Sequence, residues 1–323
     1  MVALSLPIPK EPVARDEPTA ADGDGLPPFF ELWLSQKLGK TVRSVRLLDE
    51  PPSALSRVQV VEAACEDGSF VELVLKSTRF PVPAARVALG LAREADFYND
   101  VAPRLGALVP RCYFAGGDVA TGDMMVLLER RAPGEADHAA AARAYAALHA
   151  ATWGAPRRRW HRAAAPDAAA WRRLGASVKV DARLAARAAA GAAAYDGPVC
   201  LCHGHARADH AVAGALVSFG LAGVGPATAD LGAYCIAALA PEERRATERA
   251  LVATYARALD AELAAAGLDA AAAAPDACWR RYVDGGVAAW LALLPDLAPT
   301  LPPGEAQTIA DRLAAFVDDH PGA

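Results

Sequence analysis

The sequence predicts an α+β protein with two lobes, a smaller N-terminal lobe built on a β-sheet and a larger, helical C-terminal lobe. Three short runs enriched in β-branched residues and two further strand-like runs lie before residue 130, and segments with helical character dominate after residue 138. A block of strands followed by a block of helices is typical of the α+β class. A chain of 323 residues is also long enough to bury two cooperating cores.

The N-terminal lobe is predicted over residues 27–130. A short amphipathic helix over 27–38 carries Phe30, Trp33 and Leu34 on its apolar side. Strands are predicted over 42–48, 57–63, 70–76, 111–115 and 124–129, with Gly68 in the turn before the third, and a helix is predicted over 86–101. Residues 1–26 are rich in Pro, Asp and Gly, which predicts a disordered leader.

The C-terminal lobe is predicted over residues 131–323. Its segments are rich in alanine, a strong helix former, and we expect helices over 138–152, 167–190, 229–239, 241–265, 275–293 and 304–318. A hairpin-containing stretch, 198–231, interrupts these helices. Although residues 210–229 carry no formal charge, their glycines and Pro226 favour a tight hairpin over a membrane helix.

Composition narrows the classes of partner and compartment. The net charge is −5 with both signs interspersed, so no basic stripe points to nucleic acid. Six cysteines lie scattered in apolar contexts, which favours reduced thiols and a cytoplasmic location, and the first ten residues do not resemble a signal peptide. We therefore expect a protein that acts on a small molecule, away from membranes; its oligomeric state is not predicted.

Several short motifs follow one another in a recognisable order. They are the strand that ends in Lys76, the segment from Glu94 to Tyr98, Leu148-His-Ala-Ala-Thr-Trp153, His203-Gly-His205, Ser218-Phe-Gly220 and Asp230-Leu231. Together, over residues 28–320, they resemble the choline/ecdysteroid-kinase branch of the aminoglycoside phosphotransferase superfamily. The resemblance implies a bilobal protein-kinase-like fold with a cleft between the lobes. It also implies that Lys76 binds phosphate and pairs with Glu94, and that Asp230 braces the catalytic loop.

The chain departs from this family at the positions that carry its chemistry. His205 stands where the resemblance places the catalytic Asp, His210 where it places an Asn, and Ser218 where it places the magnesium-binding Asp. Magnesium prefers carboxylate and carbonyl oxygens, and phosphoryl transfer depends on metal ions and an Asp that orients the attacking hydroxyl. The stretch 50–57, where a phosphate-covering loop is expected, also lacks glycine. Ordinary kinase activity is therefore not expected.

Our leading hypothesis is an enzyme that has exchanged phosphoryl transfer for general acid–base chemistry. Histidine is the side chain best suited to exchange protons near neutral pH, and two histidines have entered the former phosphate site. His205 and His210 would be the acid and base, with Asp209 orienting an imidazole, Arg207 holding an anionic oxygen and Ser218 donating a hydrogen bond. Lys76, Glu94 and Asp230 would support the site. We expect no cofactor and no metal, and a mostly apolar substrate such as a polyketide that undergoes dehydration, conjugate addition or cyclisation.

Three alternatives remain open at this point. A catalytically dead pseudokinase would keep the cleft and bind a nucleotide, a small molecule or a protein partner. A zinc site could form from His203, His205 and His210, whose spacing is plausible for a metal. An active small-molecule kinase is the third.

Overall fold

The computed structural model describes residues 29–51, 55–132, 134–163, 165–191 and 198–321. The predicted leader, residues 1–26, lies outside this set. The chain has a kinase-like phosphotransferase fold of the α+β class, in which an N-terminal antiparallel sheet is followed by a helical region. The exact boundary between the lobes near residue 130 stays a prediction.

The N-terminal sheet has five strands, in the spatial order β1-β2-β3-β5-β4, and all neighbours are antiparallel. The strands are β1 (Val42–Asp49), β2 (Arg57–Cys65), β3 (Phe70–Ser77), β4 (Cys112–Asp118) and β5 (Asp123–Glu129). Each contains one of the predicted strands or overlaps it to within three residues at either end. The predicted sheet is therefore confirmed.

Alternation along the strands gives the sheet two buried faces. Leu127 of β5 packs with Phe30 and Leu34 of α1 (Phe30–Leu38), whereas its neighbours Val126 and Leu128 join the larger core on the other face. That second face is covered by α3 (Arg93–Asp100). The sheet thus lies between α1 and α3, and α3 faces the core that is shared with the helical region.

The predicted helix over 86–101 is wrong as a single element. It is two helices, α2 (Ala84–Leu89) and α3, because Gly90 has a left-handed φ of 64° and ends the first one. The prediction over 167–190 is also split, into α5 (Ala168–Leu174) and α6 (Ala182–Ala190). Asp181 starts the second of these by accepting a hydrogen bond from the main-chain N–H of Arg183.

The remaining helices agree with prediction to within a few residues at their ends. They are α4 (His138–Ala151), α7 (Ala229–Ala238), α8 (Pro241–Ala265), α9 (Pro275–Leu297) and α10 (Glu305–Asp319). Helices α7 and α9 approach each other closely through Gly232 and Gly286, since a Cβ atom on Gly232 would lie 2.8 Å from the Cα of Gly286. Within the described residues, no helix is long and apolar enough to cross a membrane.

Between α6 and α7 the chain forms four short strands. β6 (Val199–Cys202) pairs with β9 (Gly223–Pro226), and β7 (Ala211–Val212) pairs with β8 (Ala215–Leu216). The predicted hairpin within 198–231 is confirmed. The segment from His203 to His210 joins β6 to β7 and carries half of the predicted site residues; we call it the histidine loop.

Candidate functional site

The histidine loop is fixed from below by Asp230, which is buried near the start of α7. Oδ2 of Asp230 accepts a hydrogen bond from the main-chain N–H of His203 at 2.6 Å, and Oδ1 accepts one from Gly204 at 3.0 Å. Gly204 has a φ of 76°, and a Cβ there would lie 2.1 Å from the carbonyl oxygen of Leu221. The path of the loop therefore depends on a carboxylate at 230 and on a glycine at 204.

His149 of α4 completes this support from the other side. Its Nε2 lies 3.0 Å from Oδ2 of Asp230 and its Nδ1 lies 2.6 Å from the hydroxyl of Tyr255. Burial favours the neutral imidazole, but the hydrogen bond to Asp230 and the neighbouring Cys202 raise the pKa of His149 to about 9. At neutral pH the pair is thus a buried imidazolium with a carboxylate. The motif Leu148–Trp153 included His149, but Tyr255 had no signal in the sequence.

The imidazoles of the histidine loop lie close to one another. The ring centroids of His205 and His210 are 4.7 Å apart in an edge-on arrangement, and those of His203 and His210 are 5.6 Å apart. Nδ1 of His210 donates to the main-chain carbonyl of His205 at 2.7 Å. Nε2 of His205 is buried, and no atom of the described residues hydrogen-bonds to it.

Burial controls the protonation of these rings. It lowers the pKa of His205 well below its ordinary value, with the nearby His210 and Arg207 adding to the effect, and it also lowers the pKa of His210 and of His203. All three are therefore neutral near pH 7. Nε2 of His203 donates to the carbonyl of Val217 at 2.7 Å, which gives that ring a structural function.

Asp209 and Arg207 lie in the loop as predicted but interact with other groups than expected. The carboxylate of Asp209 is exposed and accepts a hydrogen bond from Nε of Arg207 at 3.0 Å. The same guanidinium also binds the carboxylate of Glu305 at the start of α10. The predicted orienting contact from Asp209 to an imidazole is not formed, because the main chain of His205 holds Nδ1 of His210.

Lys76 and Glu94 are brought together across the core face of the sheet. Nζ of Lys76 lies 2.5 Å from Oε2 of Glu94, whose side chain is almost fully buried. Helix α3 is also attached to the loop region, since the ring of Phe97 stacks on Phe219 with centroids 3.6 Å apart. Phe219, the residue after Ser218, thus links the helix that carries Glu94 to the short turn that follows β8.

The residues at the expected magnesium position do not suit that ion. Ser218 is a half-buried neutral hydroxyl with a left-handed φ of 70°, and His210 is a neutral imidazole whose Nδ1 is engaged. The carboxylates of Asp209 and Glu305 are paired with Arg207, and that of Asp230 binds main-chain N–H groups beneath the loop. A hard divalent cation requires oxygen ligands that this set does not offer.

The zinc alternative from three loop histidines is not supported. Among the described residues, the group whose ligand atoms all lie within 4.8 Å of one another consists of His149, Cys200 and Cys202. The two cysteines share one face of β6, as residues two apart in a strand do. Both nitrogens of His149 are already used by Asp230 and Tyr255, so a metal there would have to break one of these contacts.

Comparison with known proteins identifies a family and similar folds. The family model described as "Phosphotransferase enzyme family" matches residues 56–268. A putative fructosamine-3-kinase from Thermobifida fusca has a similar structure, with a TM-score of 0.50, 16% identity and alignment over 90% of this chain and 98% of that one. A macrolide 2′-phosphotransferase from Brachybacterium faecium is 20% identical over 88% of this chain and 96% of that one, with a TM-score of 0.46. No curated protein matches the sequence.

Proposed function

The chain belongs to the phosphotransferase enzyme family, and from this premise we propose that it binds a nucleotide between its lobes without magnesium and without efficient phosphoryl transfer. The observation that carries the proposal is a contrast within one site. The Lys76–Glu94 pair is formed at 2.5 Å, whereas the positions for the metal and for the catalytic Asp hold Ser218, His210 and His205. The protein would then be a pseudokinase.

The retained half of the site favours an anion. Glu94 is almost fully buried and holds the ammonium of Lys76, whose side chain is about one-fifth exposed and so can reach a ligand from the cleft. A charge-assisted hydrogen bond from such an ammonium to a phosphate contributes about 1.5–3 kcal/mol. This corresponds to a roughly tenfold to hundredfold effect on nucleotide affinity.

The altered half of the site disfavours catalysis. A neutral imidazole at 205 with a strongly lowered pKa is a weak base for a substrate hydroxyl, and it carries no charge to attract a metal ion. Without a metal bridging the phosphates, the charge that develops in transfer is left largely unstabilised, and this stabilisation is usually the largest catalytic effect. We therefore expect phosphoryl transfer to be slow or absent.

Isothermal titration calorimetry with ATP tests the proposal. We expect binding in EDTA that magnesium strengthens less than about threefold, and at least a tenfold loss of affinity in Lys76→Met. The triple variant His205→Asp, His210→Asn, Ser218→Asp restores oxygen ligands, and Asp tolerates a left-handed backbone at 218 better than most residues. In that variant the affinity should become magnesium-dependent. No binding at millimolar ATP, or binding equal in Lys76→Met, contradicts the proposal.

A second candidate is the acid–base enzyme, and one observation favours it. Nε2 of His205 is buried and has no hydrogen-bond partner among the described residues, so it is a nitrogen that a substrate C–H or O–H group would engage once the site opens. Because its pKa is low, His205 would act as a base rather than an acid near pH 7. The chemistry would be dehydration, conjugate addition or cyclisation of a mostly apolar metabolite.

Deuterium exchange distinguishes this candidate from the first. A β-hydroxy thioester is incubated in D2O, and the signal of its α-proton is followed by NMR. The acid–base enzyme predicts exchange that His205→Ala abolishes and Lys76→Met reduces less. Exchange at the uncatalysed rate rejects this candidate and leaves the nucleotide proposal untouched.

A further inference from the structure

Two cysteines lie side by side on β6, immediately before the histidine loop. Cys200 and Cys202 are two residues apart in one strand, so their side chains lie on the same face of the β6–β9 pair. Their Sγ atoms and a nitrogen of His149 all lie within 4.8 Å of one another. Ala227 and Trp153 pack against the two cysteines. The pair therefore forms a compact dithiol in mostly apolar surroundings.

The strand opposite leaves room beside the sulfurs. Cys200 is paired with Gly225 and Cys202 with Gly223, so the residue directly across from each cysteine has no side chain. A Cβ atom on Gly225 would lie 3.1 Å from Sγ of Cys202. Cys202 is 8% exposed, and β9 is half-buried along its whole length. The dithiol therefore lies beside a partly exposed strand, from which an ion can approach.

The two sulfurs make only weak contacts with the main chain. Sγ of Cys200 lies 3.8 Å from the carbonyl oxygen of Gly225, and Sγ of Cys202 lies 3.5 Å from that of Pro226. The nearby Cys200 and burial raise the pKa of the Cys202 thiol well above its ordinary value, so the empty site keeps this proton at neutral pH. A thiol is a weak hydrogen-bond donor, and a metal that coordinates it removes its proton. Little is therefore lost when a sulfur exchanges its proton for a metal ion.

The donor atoms select the kind of ion. Thiolate sulfur is a soft ligand that favours Cu(I) and zinc over hard cations. Structural zinc takes four ligands, whereas both nitrogens of His149 are held by Asp230 and Tyr255. Cu(I) is stable with two thiolates alone. A metal midway between two sulfurs, at about 2.3 Å from each, needs them about 4.6 Å apart or closer. The two Sγ atoms lie within 4.8 Å of each other, so at most a small rotation of either side chain is needed.

We propose that Cys200 and Cys202 bind one Cu(I) ion through their two sulfurs, with the contacts of His149 left in place. Each thiol loses its proton to solvent as its sulfur binds, so the ion and the two thiolates form a complex with a single negative charge. No oxidation or reduction takes place. The site does not require a nucleotide in the cleft and is independent of the function proposed above. Because Cys202 directly precedes His203, the bound ion would also hold the start of the histidine loop.

Anaerobic competition with bicinchoninate tests the proposal, with the visible absorbance of the Cu(I)–bicinchoninate complex as the readout. The protein should remove one Cu(I) ion per chain from this complex. Loss of a residue that only supports a metal ligand lowers affinity about 10–100-fold. Cys200→Ser and Cys202→Ser each remove a ligand itself, so each should lower the affinity at least about a hundredfold. Cys235→Ser is the matched control, because Cys235 is also buried but lies in α7, and it should bind Cu(I) as the wild type does.

X-ray absorption at the copper edge identifies the ligands in the wild-type protein and depends on no variant. We expect two sulfur neighbours and no nitrogen. Lys76→Met should leave Cu(I) binding unchanged, which separates this site from the cleft. Circular dichroism shows which variants are folded. The proposal is overturned if the wild type takes no Cu(I) from bicinchoninate, if folded Cys200→Ser or Cys202→Ser binds it as tightly as the wild type, or if a nitrogen ligand is present.

Discussion

Asp230 should be the residue of the site on which the folded state depends most. The substitution Asp230→Ala removes the acceptor of three buried donors, the main-chain N–H groups of His203 and Gly204 and Nε2 of His149. Leaving each donor unsatisfied costs about 1–3 kcal/mol, so the three together amount to about 3–9 kcal/mol. The native state of a typical domain is stable by only about 5–15 kcal/mol.

We expect Asp230→Ala to lower the free energy of unfolding by at least about 4 kcal/mol, in the lower half of that range. Urea unfolding followed by tryptophan fluorescence and by circular dichroism measures it. Asp209→Ala is the matched control, because that carboxylate lies in the same loop but is 63% exposed, and its ion pair among the described residues is with Arg207. Its cost should be below about 1 kcal/mol. If Asp230→Ala costs no more than Asp209→Ala, the bracing role assigned to Asp230 is refuted.

Three further predictions concern stability. The pKa of His149 is about 9 in the folded state, against 6.5 for an unperturbed histidine. Its protonation therefore stabilises the fold by about 3 kcal/mol below pH 6.5, and this stabilisation is lost as the pH rises through 9. His149→Gln should remove that pH dependence from the free energy of urea unfolding. Gly232→Ala should lower the melting temperature sharply, because the new Cβ would lie 2.2 Å from a carbonyl oxygen of α9. Gly175→Ala is the control and should not lower it, because Gly175 has a helical φ and its Cβ would make ordinary contacts. Equal effects of the two substitutions would contradict the close packing of α7 on α9. Ala213→Asn should raise unfolding stability by about 0.5–1 kcal/mol, because Ala213 has a φ of 49° in a two-residue hairpin loop; an unchanged or lower value would contradict this.

The sequence predicted the order of strands and helices well because their signals are local. The first three strands contain β-branched residues, and the turn residue Gly68 separates the second strand from the third. The two errors, over 86–101 and 167–190, arose in segments of continuous helical composition. There the break depends on one left-handed glycine, Gly90, or on a cap such as Asp181, and either is compatible with a longer helix in the sequence alone.

The site was predicted in position but less well in its interactions. Motif spacing located His205, His210, Ser218, Lys76 and Glu94. In the structure Lys76 contacts Glu94, while His205 and His210 lie next to each other in the histidine loop. Their roles in a site stay a prediction. The spacing of the motifs carried no information on which side-chain atoms contact each other.

The hydrogen-bond and ion-pair partners of the loop residues could not be predicted from the sequence. The contact between Arg207 and Glu305 joins residues 98 positions apart, and the bond from His210 to the main chain of His205 depends on the turn at 208–210. Burial was equally hidden, since loop histidines are expected to be solvated. It lowers the pKa of both rings, which disfavours the acid role that their reference pKa had allowed.

The central claim is that a phosphate-binding lysine remains in a site that no longer holds magnesium. Titration of the wild-type protein with ATP in EDTA, repeated with magnesium and with Lys76→Met, tests it most directly. The account predicts saturable binding in EDTA, nearly the same affinity with magnesium, and at least a tenfold weaker affinity in Lys76→Met. Binding that requires magnesium, or that is unchanged in Lys76→Met, would contradict it.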